Sequence, residues 1–93
     1  MATAMEYDVL REIVSDISGI FSRVLEEDDE EGQKDLIKVR KIRKILHNVE
    51  YQFIDYEGVA EVLVKIRDKY RNRPYSKEFI AECKEADEEL GRE

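Results

Sequence analysis

The sequence predicts an all-α fold: a small four-helix bundle with up-down topology and short loops. Three observations predict it. Apolar residues recur at alternating spacings of three and four along most of the chain, as one face of a helix requires. No strand-like alternation of useful length appears, and the breaks between periodic runs are short, which makes neighbouring helices antiparallel. Ninety-three residues fit a single helical domain, 1–93, with one modest core.

The first helix is expected over residues 5–26. Leu10, Ile13, Ile17, Ile20 and Val24 form its stripe, widened by Val9, Val14, Phe21 and Leu25. Residues 27–33, Glu-Asp-Asp-Glu-Glu-Gly-Gln, read as a solvated acidic loop, because adjacent carboxylates repel and cannot share a core. A second helix is expected over 34–54, with Val39, Ile42, Leu46, Val49, Phe53 and Tyr56 on its stripe. Asp55 is a candidate N-cap for a third helix over 56–71, carrying Val59, Val62, Leu63, Ile66 and Tyr70. Gly58 leaves open the alternative that helices two and three are one kinked helix. The Arg73-Pro74 step stops the third helix, and Ser76 can cap a fourth over 76–90. That last stripe is thin: Phe79, Cys83, Ala86 and Leu90, with Cys83 expected to serve as a small buried apolar residue.

Composition excludes several classes. The net charge is −7 and charged residues make up 42% of the chain, so the protein is not basic overall. The single cysteine rules out a disulfide scaffold and fits a reducing, cytoplasmic compartment. No run of about 18 apolar residues exists, and the N-terminal acids do not resemble a secretory signal. Two Gln and two Asn against many charged and β-branched residues lean toward a thermophilic source.

Charge is segregated along the chain. Residues 1–33 hold ten acids and two bases, residues 34–73 eleven bases and six acids, and residues 74–93 seven acids and three bases. The second helix concentrates the positive charge. A helical wheel aligns Arg40, Lys44, His47 and Tyr51 opposite the apolar stripe, with Arg43 adjacent. Such a line can meet phosphates, with Tyr51 stacking on a base, or an acidic protein surface. It can also be a plain solvated face, and the acidity of the whole chain weighs against nucleic acid.

Two further surfaces are candidates. Ser15, Ser18, Gly19 and Ser22 cluster on the outward face of the first helix, where small residues allow another helix to dock closely. Leu36, Ile37 and Val64 lie off the main stripes as candidate exposed apolar contacts.

Catalytic and metal patterns fail on inspection. Gly32 aligned with the loop glycine of an EF-hand puts Lys38 at the closing bidentate position, which a lysine cannot fill. One histidine cannot build a multi-histidine site, and Cys83 has no base nearby in sequence. No glycine-rich phosphate loop, CxxC or HExxH occurs. The expectation is therefore no enzyme, no cofactor, no metal, no small-molecule substrate and no membrane. The chain reads as a small accessory, adaptor or inhibitor subunit that binds a protein partner, as a hetero-complex or a homodimer. The alternative is a nucleic-acid-binding module using the basic face of residues 34–51.

Overall fold

The computed structural model describes residues 2–91. Four helices follow one another: α1 (Ala4–Val24), α2 (Glu30–Asn48), α3 (Tyr56–Tyr70) and α4 (Lys77–Gly91). A 3-10 turn, Tyr51–Phe53, separates α2 from α3, so the kinked-helix alternative does not hold. Asp55 caps α3 as expected, its carboxylate accepting the Gly58 N–H.

Local chemistry sets the helix starts. Thr3 and Glu6 form a reciprocal capping box at α1, the Thr3 Oγ1 accepting the Glu6 N–H while the Glu6 carboxylate accepts the Thr3 N–H. The acidic segment is less of a loop than its charge suggested, because α2 already begins at Glu30. Asp29 caps it by accepting the Gly32 N–H, and Glu30 and Glu31 sit in its first turn, where the helix dipole favours carboxylates. Gly32 is buried there. A Cβ at this position would run into the Leu25 side chain and lie 2.7 Å from the Asp29 Oδ2, so a larger residue would have to displace the Leu25 side chain and the capping carboxylate.

α1 is the wall on which the rest is built. Leu10, Ile13, Val14, Ile17, Ile20, Phe21 and Val24 are all buried as expected, whereas Leu25 is half-buried and Val9, at the edge of the expected stripe, is 40% exposed. α3 supplies Leu63, Ile66 and Tyr70, and α2 supplies Val39 and Leu46. Ile54, just past the 3-10 turn, completes the same cluster. The start of α1 meets the end of α2, where the Tyr7 hydroxyl donates to the Leu46 carbonyl at 2.7 Å. The end of α1 meets the end of α3, where Phe21 and Tyr70 pack edge to face at 4.9 Å between centroids. The first three helices therefore run up, down and up.

At that end a polar clamp joins α2 to α3. The Tyr70 hydroxyl donates to Asp35 at 2.6 Å, Lys69 reaches both Asp35 and Glu31, and Arg73 pairs with Asp29 at 2.9 Å. The Arg73 guanidinium also lies 4.3 Å from the Tyr70 ring centroid. Burial pushes the Asp35 carboxyl up, but hydrogen bonds from Tyr70 and Lys69 outweigh it and hold the group below its ordinary 3.8. The Gly32 N–H lowers Asp29 and, with Arg73 helping, overcomes the opposing burial. Burial and the Asp35 contact push the Tyr70 hydroxyl up to about 12.

Sequence expectation and structure part at α4. Ser76 is buried, donates its N–H to the Arg23 carbonyl at 2.7 Å and accepts the Phe79 N–H on its hydroxyl. Beyond that anchor, no α4 residue is buried. Cys83 is exposed rather than core, and Leu90 keeps 69% of its surface in solvent. The molecule measures 53 × 31 × 21 Å. Laid end to end, α1 (~31 Å) and α4 (~22 Å) account for the long dimension, so α4 extends the bundle rather than lying back along it. Two other expectations change as well. Leu36 and Val64 are half-buried against the core, because α2 and α3 roll those positions toward α1, and only Ile37 of the three stays well exposed.

Two outcomes check this core. Leu63→Ala should cost ~2–5 kcal/mol in urea unfolding at pH 7, as a buried leucine does when deleted. Tyr70→Phe should cost ~1.5–3 kcal/mol, because it removes a hydrogen bond to a charged group.

The clamp also fixes a pH response. Asp29 and Asp35 have native pKa values below their unfolded ones, so their stabilisation is present above about pH 4 and is lost as pH falls through the native values. Tyr70 is shifted upward, so its contribution is present below pH 10.0 and is lost as pH rises toward 12. Melting temperature should drop at both extremes in wild type, and Tyr70→Phe should flatten the alkaline limb.

Candidate functional site

α1 and α2 are not sealed along their outer edge. Two adjoining clefts, of about 290 and about 410 Å³, share Ser18 and Arg43 and make one groove between the helices. Val14, Phe21, Val39 and Leu46 form its floor, all of them core residues. Arg11, Ser15, Ser18 and Ser22 line the α1 wall, and Arg40, Arg43 and His47 line the α2 wall.

This placement unites two surfaces that sequence periodicity treats as separate. Ser15, Ser18 and Ser22 of the small-residue face, and Arg40, Arg43 and His47 of the basic line, look across the same cleft. Gly19 sits outside it, and a Cβ there would meet only the end of the Arg23 side chain at 3.6 Å, an ordinary contact.

Two members of the basic line fall elsewhere. Lys44 lies on the opposite flank of α2 with Lys41, Ile45, Asn48 and Val49. At 100° per residue, Lys44 and Arg43 straddle the exposed side of the helix rather than sharing a line. Tyr51 is beyond the end of α2, in the 3-10 turn, so a wheel drawn through it does not apply. Its ring rests 6.2 Å from that of Tyr7, tilted by 44°, and remains partly exposed. Ile37 is on the Lys44 flank, while Leu36 lines the groove near Leu25.

Arg11 and Tyr7 belong to the groove and are not among the sequence candidates. Arg11 lies 5.8 Å from the Tyr7 ring centroid and shares its face of α1 with Ser15, Ser18 and Ser22. The signal was there: Arg11 is one of only two bases in residues 1–33, one turn before Ser15.

The electrostatics of the groove differ from those of the clamp. Lys69 and Arg73 are engaged by carboxylates. Among the described residues, Arg11, Arg40 and Arg43 form no ion pair. Ser22 donates back to the Gly19 carbonyl at 2.7 Å, and Ser15 and Ser18 make no side-chain hydrogen bond among the described residues. The groove thus offers three guanidinium groups and free hydroxyls, a donor set suited to carboxylate or phosphate oxygens.

Acids bound this cationic strip. Asp8 and Glu12 flank Arg11 on its outer side, and Glu78 of α4 closes the far end beside Arg40. The charge of Glu27, then burial, then Glu26, Glu82 and Asp28 hold the Glu78 carboxyl above its ordinary 4.5. Among the described residues, no three His, Cys, Asp or Glu side chains converge as metal ligands would, and no helix is long and apolar enough to cross a membrane. Comparison with family models, curated proteins and solved structures finds no match to this chain, so the functional reading rests on this geometry.

Two substitutions probe the groove. Ser18→Leu should change unfolding free energy by less than ~0.5 kcal/mol, because the position is open and bears no structural bond. Glu78→Gln should raise the melting temperature at pH 7, since ionised Glu78 is repelled by its neighbours. The gain should vanish as pH falls below the Glu78 pKa in a thermal series.

Proposed function

We propose that this chain is a non-enzymatic accessory or adaptor module that binds a protein partner by seating an acidic segment of it in the α1–α2 groove. One observation carries the reading: three arginines line a single groove and, among the described residues, form no ion pair. Arg73, by contrast, is held by Asp29 at the clamp. Leaving Arg11, Arg40 and Arg43 unengaged over an apolar floor sets up a contact that joins charge complementarity to burial, the pattern of a protein interface with a hydrophobic centre and a polar rim.

The form of the strip favours a short acidic peptide or helix over a nucleic acid backbone. A nucleic-acid duplex presents a charge every ~1.7 Å along its axis and needs a positive track that continues along it. Here Asp8, Glu12 and Glu78 interrupt the positive potential at both ends, within a molecule of net charge −7. A few carboxylates spaced along one face of a partner helix fit between those ends. The nucleic-acid reading keeps one supporting feature, the partly exposed Tyr51 ring beside Tyr7, which itself lines the groove.

Fluorescence anisotropy separates the two readings. A labelled amphipathic peptide with glutamates on one helical face and leucines on the other should bind at 50 mM salt. Arg40→Glu with Arg43→Glu should weaken it by about tenfold or more, since each reversal replaces an attraction by a repulsion. A mixed pool of DNA and RNA oligonucleotides should give no shift. Oligonucleotide binding that falls steeply with salt, and no peptide binding, would replace this proposal with the nucleic-acid one.

A further inference from the structure

We infer that α4 of one copy docks on the lysine-bearing flank of α2 in a second copy, and that the exchange is reciprocal. This surface is distinct from the arginine groove and does not depend on it.

Beyond its first turn, α4 buries no residue among those described. Phe79, Cys83, Ala86 and Leu90 recur at spacings of four, three and four, with Ile80 alongside, so the helix has a defined apolar edge. Phe79 is half-buried and packs edge to face on Tyr75 at 5.0 Å, but past it the edge lies open among the described residues: Ile80 is 43% exposed and Leu90 69%. A lone helix of fifteen residues is marginal in water, and α4 is held only at its first turn, where Ser76 bonds to α1 and the Lys77 N–H donates to Glu26. Fixed at one end and pointing away from the bundle, it needs a surface outside the chain.

The charge on α4 decides which surface. Six acids and two lysines lie between Lys77 and Gly91. Glu82, Asp87 and Glu89 flank the apolar edge on the helical wheel, in the positions that decide partner choice in paired helices. An α4–α4 pairing would set these acids against their equals. The complementary surface is the outer flank of α2. Lys34, Ile37, Lys38, Lys41, Lys44, Ile45 and Val49 fall within one arc of that helix, on the side away from the arginine groove. Ile37, Ile45 and Val49 are 51%, 45% and 39% exposed, and the lysines around them have no ion pair among the described residues. An acidic amphipathic helix thus faces a basic amphipathic flank with aliphatics on both. At ~28 Å, α2 is long enough to receive the ~22 Å of α4.

Reciprocity follows from the size of the contact. One short helix on one flank falls below the ~1,200 Å² that stable interfaces bury, whereas a two-fold pair forms the contact twice over the same self-complementary surfaces.

Charge exchange between two variants of the full chain tests this by sedimentation velocity. Wild type at 100 mM salt should sediment as a dimer, at twice the 11.0 kDa of the chain. Lys41→Glu with Lys44→Glu should be monomeric alone, and so should Glu82→Lys with Glu89→Lys, each keeping its far-UV helical signal. An equimolar mixture should recover the dimer, because in the mixed pair each α4 meets an oppositely charged α2. Wild type that stays monomeric at 200 µM would overturn the inference, including the case in which α4 folds back on its own α2. A dimer that survives Lys41→Glu with Lys44→Glu would overturn it too, since the α2 flank would then not be the contact.

Discussion

The Tyr70 side chain is the point on which the arrangement of helices depends. Its ring packs edge-on against Phe21 of α1, its hydroxyl is taken by Asp35 of α2, and Arg73 lies against its face. It is fully buried and sits at the last position of α3. A phenol buried with its hydroxyl satisfied by a carboxylate tolerates little movement of either partner, because separating them leaves a desolvated polar atom with nothing to bond. The clamp therefore fixes the spacing of α2 and α3 at one end only. At the other end, the 3-10 turn and the Tyr7–Leu46 contact hold α2 on α1. The open edge between α1 and α2 lies between these two fixed ends.

The acids at the head of α2 show how one residue type serves opposite purposes. Asp29, Glu31 and Asp35 face the cations of the α3 end and hold the fold together. Glu26 and Glu78 crowd the α4 junction, where Glu26 also accepts the Lys77 N–H. The chain uses carboxylates both as anchors for cations and as a source of repulsion around the departing helix.

Much of the fold was legible from spacing. The α1 stripe, the Asp55 cap, the Ser76 cap and the stop at Pro74 follow from rules acting within a few residues, and all appear in the structure. What periodicity could not show was which stripes find partners. The edge of α4 has the same spacing as that of α3, but burial is a property of where a neighbour lies, and past Phe79 no described residue covers it. The acidic run reads as a loop from carboxylate repulsion alone, and the cap, the dipole and the cations that offset that repulsion are not visible in the local sequence. Of the site, the arginines and serines could be found individually. That they meet across one groove is tertiary information; placing Tyr51 with them assumes a helix that in fact ends at Asn48, and Lys44 lies on the other flank of α2.

α2 carries its arginines and its lysines on separate flanks, one beside α1 and the other facing out. The two flanks are therefore free to be occupied at once. The proposed dimer, coupled through the lysine flank, would display two arginine grooves at a fixed separation. Ligands that repeat along a filament or a clustered receptor would then be held by avidity: once one groove is filled, the second meets its ligand at a high effective concentration, and weak single contacts add up to a long residence time.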